Sequence, residues 1–486
     1  MVNKLYCEAN NVYVREDEDG QWFIYYKDKL SPCVYHKIAR QCKGNLIPVQ
    51  TEEMELKKFF HSDEKNTAEV SHFLDTLASS DSLRWMLEKI PEIGIDSLED
   101  TEAPVINLIN TMIKEACMRN ASDIHIETFQ SYFQVRYRID GVMQEISQGD
   151  ARFGSPLISR LKIMSRLDIA EKRLPQDGRF VYEMNDRNID VRLSIIPVAH
   201  GERAVLRLLD QQNLALDFKS LGFTEFMSQC LTEQIHKPHG IILVTGPTGS
   251  GKSSTLYACV QQLNKNSRTI LTIEDPIEYK LPGLGQTQVN SRIGMDFARG
   301  LRALLRQDPD VVMIGEIRDS ETAHVAIQAS LTGHLVFSTL HTNNAIGAIA
   351  RLSDMGIEPW LISSSLSALL AQRLVRKLCN YCKQPYEANK SETECMGIYG
   401  EDDVVIYKAV GCEKCNSRGY SGRTGVYEIV LINNKMRELI QKKSSFEELN
   451  SLARLTCPDI SDHAYKLVRD GITSLEEVLR VIKESE

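Results

Sequence analysis

Ile241-Ile242-Leu243-Val244-Thr245-Gly246-Pro247-Thr248-Gly249-Ser250-Gly251-Lys252-Ser253-Ser254 decides how this chain is read. Its first four residues form an apolar run of the length expected for a buried parallel strand. A glycine-rich turn follows, and from Lys252 through Leu256 and Val260 the chain can wind into a helix. Strand, G-x-x-x-x-G-K-S turn and helix together make a phosphate-binding loop. Gly246, Gly249 and Gly251 let the backbone point N–H groups inward at phosphate oxygens, and the helix N-terminus adds its positive end. Pro247, Thr248, Ser250 and Ser254 complete the stretch that surrounds the nucleotide. Lys252 is placed to reach the β- and γ-phosphates and the Ser253 hydroxyl to ligate Mg²⁺. The sequence predicts a nucleoside triphosphate site.

Two acidic strand ends suit such a site. Val311-Val312-Met313-Ile314-Gly315-Glu316 is an apolar strand closing on a carboxylate, the arrangement that holds Mg²⁺, often through water. Ile270-Leu271-Thr272-Ile273-Glu274-Asp275-Pro276-Ile277-Glu278 is a second, with three carboxylates at its end. Hydrolysis needs a carboxylate that orients and partly deprotonates a water; Glu274 is the first choice and Glu278 the second. Between these strands, helical spacing puts Phe297, Leu301, Leu304 and Leu305 on one face and Arg299, Arg302 and Arg306 on the other. Taken alone, such a stripe is a solvated face; Pro309 and the Glu316 strand place it near the nucleotide, where arginine forks suit phosphates or a neighbouring subunit's carboxylates. His334 and His341 flank a strand at 335–339. For His341, a γ-phosphate sensor and a satisfied structural histidine are both open readings.

Cys379-x-x-Cys382 and Cys412-x-x-Cys415 have the pairing of a tetrahedral, four-thiolate Zn²⁺ site, structural because no position is left open. The remaining eight of the 12 cysteines are scattered singly. Without a secretory signal, this usage points to a reducing compartment and an expected cytosolic location.

The 486 residues are too many for one core. Residues 1–75 contain a plausible strand, Trp22-Phe23-Ile24-Tyr25-Tyr26, and a helical stretch at 34–42, and read as a docking module or a folding extension. Residues 76–103, with the acidic run Asp96-Ser97-Leu98-Glu99-Asp100-Thr101-Glu102, read as a linker. Pro104 opens a helix whose stripe is Val105, Leu108, Ile109, Met112 and Ala116. Strands follow, with Asp140-Gly141 as a turn, in an α+β unit over 104–213. From there to 486 strands alternate with helices, at 241–244, 269–273, 311–314 and 335–339, as in a parallel sheet covered on both faces. Residues 360–375 read as an amphipathic core helix, the cysteine-bearing insertion lies at about 376–420, and the remainder reads as helical. No apolar run approaches the ~18 residues of a membrane span. The net charge of −9, with no aromatic-interleaved basic stretch, argues against a nucleic-acid partner.

These motifs resemble those of the ATPases of type II secretion and type IV pilus assembly, over residues 100–486. The resemblance rests on Gly246–Ser253, on Thr272-Ile273-Glu274-Asp275-Pro276-Ile277-Glu278-Tyr279, on Met313-Ile314-Gly315-Glu316-Ile317-Arg318-Asp319, on Ser338-Thr339-Leu340-His341-Thr342 and on the four cysteines. It implies a PAS-like α/β domain joined flexibly to a RecA-like ATPase domain. It further implies ATP, Mg²⁺ and Zn²⁺ as ligands and a homohexamer peripheral to the cytoplasmic face of the inner membrane. The implied partners are a platform protein and the cytoplasmic domain of a membrane anchor. Arg192 and Arg207 match arginines that reach the nucleotide from the first of these domains, and Arg302 and Arg306 match inter-subunit arginines. Arg192 also alternates away from Ile189, Val191, Leu193 and Ile195. Two other classes compete. A nucleic-acid translocase is disfavoured by the acidic charge, and a non-catalytic switch by the intact Lys252, Glu274 and Glu316.

Overall fold

The computed structural model describes residues 12–16, 22–26, 32–39, 46–51, 102–184, 187–210, 217–264, 267–399, 404–455 and 457–483. The expected linker at 76–103 lies outside them except for its last two residues. By internal contacts the chain divides into two units, residues 1–115, 128–135 and 146–160 in one and 116–127, 136–145 and 161–486 in the other.

In the first unit β1 (Val12–Glu16) pairs antiparallel with β2 (Trp22–Tyr26), and β2 pairs parallel with β3 (Leu46–Gln50). Ile24 packs with Val12, Leu46, and Val34 and Ile38 of the helix Pro32–Ala39; the expected helical stretch beyond 39 lies outside the described residues. The helix Glu102–Met118 starts two residues ahead of Pro104, and its expected stripe is buried. The chain then passes between the units: β4 (Ala121–Thr128) lies in the second except for its last residue, as do the last four residues of β5 (Tyr132–Ile139) and the first four of β6 (Val142–Asp150). Burial alternates strictly along β5, and the β5–β6 turn takes the left-handed conformation at both Asp140 and Gly141.

In the second unit β7 (Gln176–Met184), β8 (Arg187–Val198) and β9 (Gly201–Asp210) pair antiparallel in sequence, and β9 continues onto β4. Lys162, fully buried, pairs with Glu202 of β9 at 2.7 Å.

The larger sheet holds β10 (Gly240–Thr245), β11 (Ile270–Glu274), β12 (Gly285–Gln288), β13 (Val311–Ile314), β14 (Leu335–Leu340), β15 (Leu366–Leu378) and, after a small antiparallel pair β16 (Gln384–Glu387) and β17 (Val405–Lys408), β18 (Tyr420–Leu431). Their order is β12-β11-β13-β14-β10-β15-β18. All neighbours are parallel except the edge pair β15–β18. Period-two alternation sends Ile241 and Leu243 of β10 into one core with the helices Phe297–Leu304 and Ser320–Leu331. Ile242 and Val244 enter another core, with Leu256, Tyr257 and Val260. A strand buried on both faces has to be apolar throughout, and β10 is.

Two expectations fail here. Residues 360–375 are not one helix: the helix Pro359–Ser365 stops, and Leu366 begins β15, buried from Leu366 through Arg373. Leu, Ala, Gln and Arg favour helices, but pairing with β10 and β18 overrides so weak a preference. Nor is the chain after the cysteine insertion purely helical, because β18 closes the sheet edge before the four helices at Asn434–Gln441, Phe446–Arg454, Ile460–Arg469 and Leu475–Lys483.

Candidate active site

The phosphate loop leaves β10 at its C-terminal end, where open α/β sheets place ligands. Gly246, Gly249 and Gly251 all have positive φ, of 146°, 79° and 87°. Gly251 caps the helix Lys252–Leu263 without a side-chain hydrogen bond, so the first N–H groups of that helix remain available to an anion. Lys252 Nζ donates to the carbonyls of Gly246 at 2.8 Å and Pro247 at 2.9 Å, curling over the loop. Burial brings its pKa down to about 8; Glu316 opposes the shift and Arg373 adds to it.

Glu316, just beyond β13, is bracketed by Arg318 and His341. Arg318 Nη2 donates to Oε1 at 2.5 Å, and His341 Nε2 lies 3.3 Å from Oε2. Burial works to raise the Glu316 pKa, but Arg318 and then His341 outweigh it and hold the carboxyl below its ordinary value. His341 is thus joined to the acidic strand end. His334, at the other end of β14, is occupied by the Ala329 carbonyl at 2.9 Å, a satisfied structural histidine.

Glu274 and Glu278 differ sharply. Glu274 is 4% exposed and accepts from three side chains: Tyr257 OH on Oε2, and Thr272 Oγ1 at 2.5 Å and Gln286 Nε2 at 3.0 Å on Oε1. Glu278 has 30% of its side chain exposed and pairs with Arg192 Nη2 at 3.1 Å, while the same nitrogen donates to the Ile277 carbonyl at 3.0 Å. Arg192 is thus held by the acidic segment that follows β11. Arg207 is paired instead with Asp123, Nε to Oδ1 at 3.1 Å. On the helix Phe297–Leu304, Phe297, Leu301 and Leu304 are buried and Arg299 and Arg302 exposed; Leu305, half-buried, and Arg306, exposed, lie in the 3₁₀ turn that follows. Arg302 meets Glu321 at 2.8 Å, a surface pair of little energetic weight.

Side chains that motif reading passes over hold this geometry. Gln372 of β15, 1% exposed, donates from Nε2 to the Ser250 carbonyl at 2.7 Å and accepts from Thr255 Oγ1 at 2.8 Å. Its one sequence signal is an amide interrupting the apolar run Leu366-Ser367-Ala368-Leu369-Leu370-Ala371. Tyr257 and Gln286 carry no such signal.

The four cysteines converge as their spacing predicts, with all four Sγ atoms within 4.8 Å of one another. Tetrahedral Zn–S bonds of about 2.3 Å set the sulfurs about 3.8 Å apart. The Cys379–Cys412, Cys382–Cys415 and Cys412–Cys415 pairs stand at 3.9, 3.8 and 3.7 Å. The backbone N–H groups of Cys412 and Gly419 each donate to Cys415 Sγ at 3.2 Å. Burial works to raise the pKa of that thiol, yet these donors, with Cys412 and Cys382, bring it to about 6, while burial pushes the Cys382 thiol up to about 11; the spacing of the sulfurs is what suits a four-thiolate cation site.

A phosphate loop at the C-terminal edge of a mostly parallel sheet, with Lys252 above it and Glu316 beside it, defines a P-loop ATPase of RecA-like fold. A family model described as Type II/IV secretion system protein matches residues 98–480, and the chain belongs to that family. It is 50% identical over 472 residues to the Type II secretion system ATPase E of Vibrio cholerae serotype O1, covering 96% of this chain and 94% of that one. To the Type II secretion system protein E of Aeromonas hydrophila it is 53% identical over 422 residues, 87% of this chain and 84% of that one. Among solved structures, the pilus retraction motor PilT with bound ADP matches at a TM-score of 0.51 and 28% identity, over 76% of this chain and 96% of that one. The Legionella pneumophila ATPase DotB matches at 0.58 and 21%, over 78% and 96%, a likeness of fold. The protein is a secretion ATPase. No helix among the described residues is long and apolar enough to cross a membrane.

With a Lys252 pKa of about 8, phosphate affinity becomes pH-dependent on the alkaline side. The ammonium is present below that pH and is lost as pH rises through it, whereas bound phosphate restores the proton. ATP affinity should therefore weaken above pH ~8 by up to about tenfold per unit. Nucleotide titrations from pH 7 to 9.5 check this; a flat profile contradicts it.

Proposed function

We propose that this chain works as a homohexamer that hydrolyses ATP to drive type II secretion, at the cytoplasmic face of the inner membrane. It would act there through a platform protein and the cytoplasmic domain of a membrane anchor. The observation that carries the hydrolytic part is that Lys252, the Arg318–Glu316–His341 set and the Arg192–Glu278 pair all follow the C-terminal ends of parallel strands of one sheet, β10, β13 and β11. Secretion as the task rests on the relatives named above, and the ADP held by PilT supports a nucleotide at this loop. The loop N–H groups and Lys252 take the β- and γ-phosphates. Ser253 and Glu316 would hold Mg²⁺, which supplies charge neutralisation between those phosphates.

Glu274 spends both oxygens on donors within the protein, so the carboxylate that meets water is Glu278, with Arg192 fixing its direction. Glu278→Gln should retain ATP and lower kcat by ~10²-fold or more. Glu274→Gln should mainly lower thermal stability, because it unbalances a buried network. Single-turnover assays with melting curves decide, and the reverse pattern returns the role to Glu274.

Arg302 and Arg306 are exposed on a face suited to a neighbouring subunit's phosphates, while Arg207 must leave Asp123 to act. ATPase activity per chain should accordingly rise with protein concentration as hexamers form, and Arg302→Ala should flatten that rise while keeping nucleotide binding. Constant activity per chain across the dissociation range opposes the hexamer.

Cys379, Cys382, Cys412 and Cys415 would hold one structural zinc. Elemental analysis should give about one zinc per chain, and Cys415→Ser should remove it and loosen the local fold. Protein prepared without chelator and free of zinc excludes the assignment.

A further inference from the structure

Arg373 follows Gln372 on β15 and faces the opposite side of the sheet. It is 5% exposed. Its side chain makes a single hydrogen bond, Nη2 donating to the carbonyl of Asn343 at 3.0 Å, and its buried Nη1 has no partner. Among the described residues no carboxylate pairs with it. A buried guanidinium in this state is expensive, because neither an opposite charge nor a full set of acceptors replaces the water it lost.

Topology says where the guanidinium lies. Strand β10 runs between β14 and β15, and its last residue, Thr245, sits beside Ala371. Arg373 lies two residues beyond that point, past the end of β10, where the phosphate loop begins. Asn343 belongs to the segment that follows β14 on the far side. To bond Asn343 from β15, the side chain of Arg373 has to cross the end of β10. It is close enough for its charge to disfavour the ammonium of Lys252, so two cations flank one mouth before any anion enters. Asn343 is two residues from His341, whose partner is Glu316, so the crossing arm lies toward the acidic strand end.

We propose that Arg373 is a nucleotide-binding residue of this chain, its unpartnered Nη1 arm taking the terminal phosphate of ATP while the other arm holds the segment after His341. An arriving phosphate supplies the missing opposite charge and a planar pair of acceptors, which arginine matches better than lysine. One side chain then ties occupancy of the phosphate loop to the position of residues 341–343. The proposal rests on the ATPase assignment, and the wild-type chain serves as its control, since failure of that chain to bind ATP would fault the assignment itself.

The test uses full-length wild type, Arg373→Met and Arg373→Lys. Melting temperatures are measured without nucleotide and with a non-hydrolysable ATP analogue and Mg²⁺, together with Kd for the analogue and for ADP. Removal of an unpaired buried charge should leave the nucleotide-free melting temperature of Arg373→Met unchanged or raised. The analogue should bind at least ~10-fold more weakly, ADP within about threefold of wild type, and the stabilisation by the analogue should shrink accordingly. Arg373→Lys, which keeps charge without the fork, should fall between and remains informative if the Met variant does not fold. A lowered nucleotide-free melting temperature with wild-type affinity for the analogue makes Arg373 a strap for Asn343 and overturns the proposal. An equal loss for the analogue and ADP overturns the terminal-phosphate assignment, as does wild-type affinity in the Lys variant with no Met variant to measure.

Discussion

One amide holds the phosphate loop in shape. Gln372 lies between the loop and the helix it feeds, donating to Ser250 and accepting from Thr255, in a place with no water to substitute for either bond. The approach of β15 also explains two of the glycines. A Cβ on Gly246 would stand 2.4 Å from the Gln372 carbonyl oxygen, and one on Gly251 2.8 Å from its amide nitrogen. Glycine is required at both by positive φ and again by lack of room. The motif thus depends on a strand whose contact with it spans 122 residues of sequence.

Around that frame, charge is distributed unevenly. Glu316 is compensated by Arg318 and His341, and Glu278 by Arg192. Lys252 has only backbone carbonyls for partners, and Arg373 only one. The acids are settled within the protein while the cations at the loop are not. This asymmetry fits a site that receives a polyanion: its preorganised donors spend little on rearrangement when the ligand arrives. Burial, with the like charge of Arg373 adding to it, brings the Lys252 pKa down to about 8 without a ligand.

Much of this was legible in the residues. The loop, the Glu316 strand end, the two-faced helix at Phe297–Leu304 and the cysteine cluster follow local rules of spacing and composition, and the structure reproduces them. What was not legible depends on partners from elsewhere. Strand β15 is written in helix-favouring residues and becomes a strand only between β10 and β18. Strand β18 did carry a signal, Gly425-Val426-Tyr427-Glu428-Ile429-Val430-Leu431, rich in β-formers, but the preceding cysteine insertion hid its return to the sheet. Sequence ranks Glu274 ahead of Glu278 but does not show their surroundings. Tyr257 and Gln286, brought in by the fold, join Thr272 in turning Glu274 inward.

The position of the cysteines has a consequence for alignment. Strands β15 and β18 form one long antiparallel ladder from Ala368 opposite Leu431 to Leu378 opposite Tyr420. Cys379 follows the last rung directly, and Cys412 and Cys415 lie just before Tyr420. A metal held by the four sulfurs would clasp the ladder at its open end, as a buckle closes a strap at a chosen hole. A strand that slips by one residue turns every side chain to the opposite face. Such a slip in β15 would exchange Gln372 and Arg373, taking the amide from beneath the phosphate loop and putting a guanidinium in its place. A metal bound away from the nucleotide site would thus bear on the chemistry by fixing which residue faces which way.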